Sequence, residues 1–103
     1  MHPLIESSRN QITALCRLHR VRRLEVFGSA LREDFDIQHS DVDVVVEFEP
    51  LPQSDGLRRY FDFKAQLEDL LKRPVDLVEL GAMENTRLKR IIERTKVPVY
   101  AAA

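Results

Sequence analysis

The sequence predicts a single α/β domain in which helices cover a small mixed β-sheet. Short apolar runs alternate with segments of helical periodicity, in the order helix, strand, strand, helix, strand, helix, strand. At 103 residues the chain has the size of one domain, and neither a repeat nor a linker divides residues 1–103. Proline and glycine fall between the periodic segments, which supports these boundaries.

The first half of the chain contains a helix and two strands. Residues 3 to about 19 form the helix, because Ile5, Ile12, Leu15 and Cys16 recur on one stripe. The first strand covers 21–27 and ends at Gly28, after which 29–32 can form one helical turn. An acidic loop over 33–40 leads to the second strand, 41–48.

The second half adds two helices and two strands. A long helix is expected over 57–72, with a strand at 75–80, a helix at 84–94 and a last strand at 97–100. The apolar residues expected to face the core from the two helices are Tyr60, Phe61, Phe63, Leu67, Leu70, Leu71, Leu88, Ile91 and Ile92.

Composition excludes several classes of function. The 16 Lys and Arg residues balance 17 Asp and Glu residues, so the net charge of −1 provides no general attraction to nucleic acid or anionic membranes. The basic run around Arg17, Arg20, Arg22 and Arg23 is expected to be a solvated helix end. Cys16 is the single cysteine, and no apolar run reaches the ~20 residues of a membrane helix. We therefore expect a cytoplasmic protein.

Carboxylates on neighbouring strands are the chemically informative feature. Asp41 and Asp43 share one face of the second strand, while Val42, Val44 and Val46 face the core. Asp76 lies near the start of the third strand and joins the pair if the two strands are adjacent. Three carboxylates form an oxygen-only site that suits Mg²⁺ or Mn²⁺. Two such ions can stabilise both oxygens of an in-line phosphoryl displacement.

The turn after the first strand can bind phosphates. Gly28 allows close approach of the backbone, and Ser29 offers a hydroxyl and an amide at a helix start. Arg32, one turn later, can add a charge-assisted hydrogen bond. The turn is not a P-loop, because it lacks the Gly-x-x-x-x-Gly-Lys pattern.

These motifs together resemble the minimal nucleotidyltransferases of the DNA polymerase β superfamily, specifically the MntA-type antitoxins paired with HEPN-domain toxins. The residues that carry the resemblance are Phe27-Gly28-Ser29-Ala30-Leu31-Arg32, Ser40-Asp41-Val42-Asp43-Val44-Val45-Val46-Glu47-Phe48, Val75-Asp76-Leu77-Val78, and the end of the chain from Ile91 to Tyr100. Two departures exist: Glu33 follows Arg32 where the family usually has glycine, and the loop to Asp41 is about one residue longer.

The resemblance implies the nucleotidyltransferase fold and Mg²⁺-dependent transfer of AMP from ATP to a tyrosine hydroxyl of a HEPN toxin. It implies that Asp41 and Asp43 hold the metals and that Asp76 completes one site and helps to activate the acceptor. Gly28, Ser29 and Arg32 would bind the triphosphate. We expect a hetero-oligomer with the toxin, with the apolar residues Phe35, Ile37 and Leu51 as candidates for contact with that partner.

Three alternatives remain open at this point. The chain can be an antitoxin that acts by contact alone, which the Arg32-Glu33 turn would favour. It can transfer a nucleotide to a small-molecule hydroxyl, or it can be a structural α/β module with a solvated acidic face.

Overall fold

A computed structural model describes residues 3–28, 41–50 and 55–102 of the chain. Its elements are α1 (Pro3–Ser7), α2 (Arg9–Leu18), β1 (Val21–Phe27), β2 (Val42–Phe48), α3 (Gly56–Leu71), β3 (Val75–Val78), a 3-10 helix (Leu80–Ala82), α4 (Arg87–Thr95) and β4 (Val97–Ala101). The predicted order of helices and strands is therefore confirmed.

The four strands form one mixed sheet in the order β3-β2-β1-β4. Strand β1 is antiparallel to both β2 and β4, whereas β2 and β3 are parallel. The parallel pair requires a crossover, which α3 supplies. This topology makes β2 an interior strand and leaves β3 at one edge.

The main core lies on one face of this sheet. Val42, Val44 and Val46 are at most 2% exposed, so the alternation predicted for β2 is confirmed. They pack with buried side chains of α1, α2 and α3, namely Ile5, Ile12, Cys16, Phe63, Leu67 and Leu71. The opposite face carries Asp43, Val45 and Glu47, so β2 presents its acids away from the core.

Three features of the sequence-based prediction need correction. The N-terminal helix is interrupted at Ser8, and the third strand ends at Val78, where a 3-10 helix follows. Phe61 is 56% exposed, because it lies across α3 from Phe63 and stacks edge-on against Tyr60 instead.

The burial predicted for α4 is also wrong in part. Leu88 is 58% exposed and Ile91 is 41% exposed, while Ile92 is buried. Burial in α4 is thus confined to its last turn, so an apolar residue in the first turn remains in solvent. Thr86 caps this helix by accepting a hydrogen bond from the Lys89 amide at 3.2 Å.

Several predicted features lie outside the described residues: Ser29, Arg32, Glu33, the acidic loop with Phe35 and Ile37, and Leu51. Within the described ranges, no helix combines the length and apolar character required to cross a membrane.

Candidate active site

The acidic pair stands at the beginning of β2. Asp41 immediately precedes the strand and is exposed, whereas Asp43 is half-buried within it. Val42, between them, is fully buried on the core side. The two carboxylates therefore project from the face opposite the core, as the alternation predicted.

Asp76 joins this pair through the register of the parallel strands. Asp43 and Asp76 are direct partners in the β2–β3 ladder, and Val44 is paired with Leu77. Neighbouring strands are about 4.8 Å apart, so paired side chains on one face are close neighbours. The prediction that the third strand brings Asp76 beside Asp43 is confirmed.

Gly28 closes the site from the other side of β2. Phe27, the residue before it, is paired with Asp43 across the antiparallel ladder. Gly28 has a φ of +67°, and a Cβ placed there would lie 2.6 Å from Oδ2 of Asp43. The sequence predicted a glycine that lets a ligand approach. In the structure, the group that approaches Gly28 is the Asp43 carboxylate of the chain itself.

The charge of Asp43 is unfavourable in this setting. Burial is the main cause that raises the pKa of Asp43 above its ordinary value, and the negative charges of Asp76 and then Asp41 raise the same pKa further. A cation that bound all three carboxylates would lower this pKa, because its positive charge stabilises the ionised form of Asp43. The electrostatics of the site thus favour a positively charged ligand.

The donor set fits a hard divalent cation, but the described residues do not form a finished cage. Across 3–28, 41–50 and 55–102, no three Asp, Glu, His or Cys side chains already converge as metal ligands. The register nevertheless brings Asp43 beside Asp76, and after burial it is the charges of Asp76 and Asp41 that raise the pKa of Asp43. Oxygen ligands of this kind suit Mg²⁺, which retains water and substrate phosphates among its ligands.

Two side chains of α3 hold the edge strand that carries Asp76. Oε2 of Glu68 accepts a hydrogen bond from the Val75 amide at 2.9 Å. The Tyr60 hydroxyl donates to the carbonyl oxygen of Leu77. These bonds occupy backbone groups on either side of Asp76, at the free edge of β3, where another strand would otherwise pair.

No pattern in the sequence indicated this pair, Tyr60 and Glu68, which we call the clamp. Tyr60 matched the apolar stripe of α3, and Glu68 matched its solvated face. The spacing of eight residues places both on one side of a helix, but nothing local indicates that this side meets a strand edge. Glu68 also lies 3.4 Å from Nζ of Lys64, an ion pair within α3.

Cys16 does not contribute to the chemistry. Its side chain is fully buried in the core, and burial raises the pKa of its thiol to about 12. A thiol with this pKa is protonated at neutral pH and has little nucleophilic character.

Comparison with known proteins identifies the family to which this chain is similar. Residues 8–99 match the family model described as "Nucleotidyltransferase domain". A relative from Methanocaldococcus jannaschii, named as a candidate protein adenylyltransferase, is 37% identical over 81 residues, covering 79% of each protein. The protein adenylyltransferase MntA of Thermococcus cleftensis is 35% identical over 72 residues, covering 70% of this chain and 69% of the relative.

Solved structures agree on the fold. A structure of a candidate minimal nucleotidyltransferase superposes with a TM-score of 0.73 at 31% identity, covering 90% of each chain. The MntA-HepT toxin–antitoxin structure gives a TM-score of 0.64 at 21% identity, covering 94% of this chain and 73% of that one. The structure of a tri-AMPylated Shewanella oneidensis HEPN toxin in complex with MNT antitoxin gives a TM-score of 0.65 at 20% identity, covering 95% of this chain and 73% of that one.

Proposed function

Because this chain belongs to the nucleotidyltransferase domain family, we propose that it transfers AMP from ATP to a hydroxyl group of a partner protein. The observation that carries this proposal is the β2–β3 register, which sets Asp76 beside Asp43 on the face that also bears Asp41. In this proposal residues 1–103 act as one catalytic domain. The names of its relatives as protein adenylyltransferases support AMP as the group that is transferred.

The reaction assigns a task to each of the three acids. The acceptor oxygen forms a bond to the α-phosphorus of ATP, the bond from that phosphorus to the bridging oxygen breaks, and pyrophosphate leaves. Asp41 and Asp43 would hold Mg²⁺, which when bound neutralises negative charge on the phosphates. Asp76 would complete the ligand set and help to remove the proton of the acceptor hydroxyl.

The phosphates would lie on the Gly28 side of the site. Gly28 has no side chain, which leaves room for Oδ2 of Asp43 beside its backbone at the start of this turn. Ser29 and Arg32 follow directly in the sequence and would donate hydrogen bonds to the triphosphate. Mn²⁺ can replace Mg²⁺ in a site of this donor chemistry.

The partner we propose is a HEPN-domain toxin that is silenced when a tyrosine hydroxyl receives AMP. Support comes from the structural similarity to MntA-HepT and to the complex of an MNT antitoxin with an AMPylated HEPN toxin. The chain would then act as an antitoxin within a hetero-oligomer, in the cytoplasm.

The test is incubation of the chain with ATP, Mg²⁺ and the protein encoded by the adjacent gene. Intact-mass spectrometry should show addition of adenylyl groups to that protein, and tandem spectra should place them on tyrosine. EDTA should prevent the reaction, and added Mg²⁺ should restore it. Asp43→Asn should abolish transfer, whereas Asp69→Asn, an exposed acid of α3, should leave transfer unchanged.

Two results would contradict the proposal. One is the absence of any adduct with Mg²⁺ or Mn²⁺ when the partner binds the chain. The other is full transfer by Asp43→Asn. If Asp43→Asn still neutralised the toxin at equal expression, the chain would act by contact alone, the function that Glu33 in place of the usual glycine favours.

A further inference from the structure

The surface of α4 carries three parallel rows of side chains in different surroundings. Residues three and four positions apart share a helix face, so each row repeats at this spacing. The first row faces the rest of the chain and includes the buried Ile92. The second is apolar and open to solvent, with Leu88 at 58% and Ile91 at 41% exposure. The third borders the second and consists of exposed arginines, namely Arg87, Arg90 and Arg94.

The apolar row of α4 continues to the end of the helix and beyond it. Thr95, the next residue of this row, donates its hydroxyl to the Ile91 carbonyl oxygen at 2.8 Å, so its polar group is satisfied within the helix. Val97, the first residue of β4, is 37% exposed. Of the six large apolar side chains exposed within the described ranges, three lie in residues 88–97. Scattered exposed apolar residues need no explanation, whereas a contiguous row is typical of an interaction site.

The arginine row has no acidic partners within the chain. No ion pair in the described part of the chain involves Arg87, Arg90 or Arg94. Glu93, the single acid of α4, lies on the side of the arginine row away from the apolar row. Like charges at this spacing destabilise a helix, and a cation in the first turn opposes the helix dipole. The folded chain thus retains an unfavourable charge pattern that an acidic partner would offset.

Positive charge is concentrated in this part of the chain. Residues 87–96 contain five basic residues and one acidic residue, although the whole chain has 16 basic and 17 acidic residues. The surface of α4 therefore attracts negative charge, while the chain as a whole does not.

An apolar row bordered by a charged row is one half of a helix–helix contact. Leu88 and Ile91 have the spacing of the a and d positions of a heptad, and Arg87 and Arg94 then occupy g positions, where ion pairs form between helices. A nucleic acid would engage the arginines and leave the apolar row in water. Two exposed apolar side chains on a nine-residue helix would bury little area in a membrane.

We propose that α4 docks an amphipathic helix of the modified partner protein, with carboxylates along the border of its apolar face. The apolar face of that helix would cover Leu88 and Ile91, and its carboxylates would pair with Arg87 and Arg94. This inference rests on the proposed function for the identity of the partner.

The position of α4 suits this task. Lys96, which follows the last residue of α4, donates to both carboxylate oxygens of Glu25, at 2.6 and 2.8 Å. Glu25 is paired across the sheet with Val45, which lies two residues from Asp43 on the same face of β2. A partner helix bound to α4 is therefore held beside the sheet face that presents the acids.

The test uses two variants of α4, each with a matched control in α2. Arg94→Glu is compared with Arg17→Glu, because both arginines are exposed and each lies in the last turn of its helix. Leu88→Ala is compared with Leu18→Ala, since Leu18 is 69% exposed. For each protein, calorimetry would measure the Kd for the protein encoded by the adjacent gene, without ATP, and the Kd for Mg²⁺-ATP, without partner. Thermal melts would confirm that the variants remain folded.

We expect Arg94→Glu and Leu88→Ala each to weaken partner binding by about tenfold or more, with ATP affinity unchanged. Both controls should stay within about twofold of the parent. In about 0.5 M NaCl the difference between Arg94→Glu and the parent should shrink, because salt screens exposed charges, whereas the loss in Leu88→Ala should persist. Partner affinity within twofold of the parent for either α4 variant, an equal loss in its control, or no partner binding by the parent would overturn the docking proposal.

Photo-crosslinking provides a second test, which identifies the occupant. The photoreactive residue p-benzoylphenylalanine in place of Leu88 should crosslink to a helical segment of the partner that carries acidic residues one turn apart. The same residue in place of Leu18 should give no crosslink. A crosslink from position 88 to a segment without acidic residues, or a crosslink from position 18 alone, would overturn the proposal.

Other occupants of α4 would give different results. If poly(U) RNA or phosphatidylglycerol vesicles bound the parent through Arg94 while the partner bound Arg94→Glu as tightly as the parent, α4 would be a polyanion site. If the isolated parent formed a dimer in ultracentrifugation that Leu88→Ala dissociated, a second copy would cover the apolar row. Either result would overturn the proposal. If the partner docked on α4 but received no AMP, the docking surface would stand and the proposed function would fail.

Discussion

Substitution of Gly28 by alanine should damage the active site more than it damages the fold. With φ at +67°, an L-residue at this position adopts the left-handed region, at a cost of about 1–2 kcal/mol. That cost raises the unfolding constant by roughly 5- to 30-fold and lowers the Tm by about 4–8 °C for each kcal/mol. In addition, the new methyl would lie 2.6 Å from Oδ2 of Asp43, so the carboxylate has to turn away.

Two measurements separate these effects. Thermal melts give the loss of stability, and AMP transfer at a temperature where Gly28→Ala is still folded gives the loss of catalysis. We expect transfer to fall by more than about tenfold, because the displaced carboxylate is a proposed metal ligand. Gly81→Ala is the matched control, since φ there is not positive and no atom lies within 4 Å of the added Cβ. Full activity in Gly28→Ala, or an equal loss in Gly81→Ala, would refute the reasoning.

Three further predictions concern charges and the clamp. The pKa of Asp43 is raised in the folded chain, so ionised Asp43 lowers the free energy of unfolding. This loss of stability develops above the pKa of an unfolded aspartate and is complete once the pH has risen through the folded pKa. Asp43→Asn should therefore raise the Tm of the EDTA-treated chain at pH 7, and the gain should vanish in melts below a pH of about 3.9. Tyr60→Phe should lower the free energy of unfolding by about 1 kcal/mol in a urea titration, and it should also lower the rate of AMP transfer. Glu68→Ala should have the same two effects. A stability loss with unchanged transfer would show that the clamp does not position the active site. Lys96→Met should cost about 3–5 kcal/mol in the same titration, since it leaves the Glu25 carboxylate buried and unpaired. A loss below about 1 kcal/mol would contradict that assignment.

The sequence was sufficient for the parts of the fold that follow from periodicity. Alternation along 41–46 placed three valines in the core and two acids on the other face, and the structure agrees. The sequence placed Asp76 beside Asp43 on condition that the two strands were adjacent, and the parallel β2–β3 pairing meets that condition. These inferences succeeded because each depends on a regular backbone repeat within one element or one crossover.

Interactions between distant elements could not be obtained in the same way. Leu88 and Ile91 have the spacing of a buried stripe, but among the described residues of α4 burial is limited to Ile92, and both of the others remain exposed. Glu68 resembles any solvated helix glutamate, although its carboxylate accepts a backbone amide of β3. Helical periodicity reports which residues share a face, and it does not report how far that face is covered.

The clamp makes α3 the element that holds Asp76 in position. Asp43 stands on an interior strand with ladders on both sides, whereas Asp76 stands on an edge strand with one ladder and the clamp. The clamp should therefore slow hydrogen exchange at the amides of 75–78, and exchange there should be faster in Tyr60→Phe than in the parent. Equal exchange in both proteins would show that the clamp does not hold the edge strand that carries Asp76.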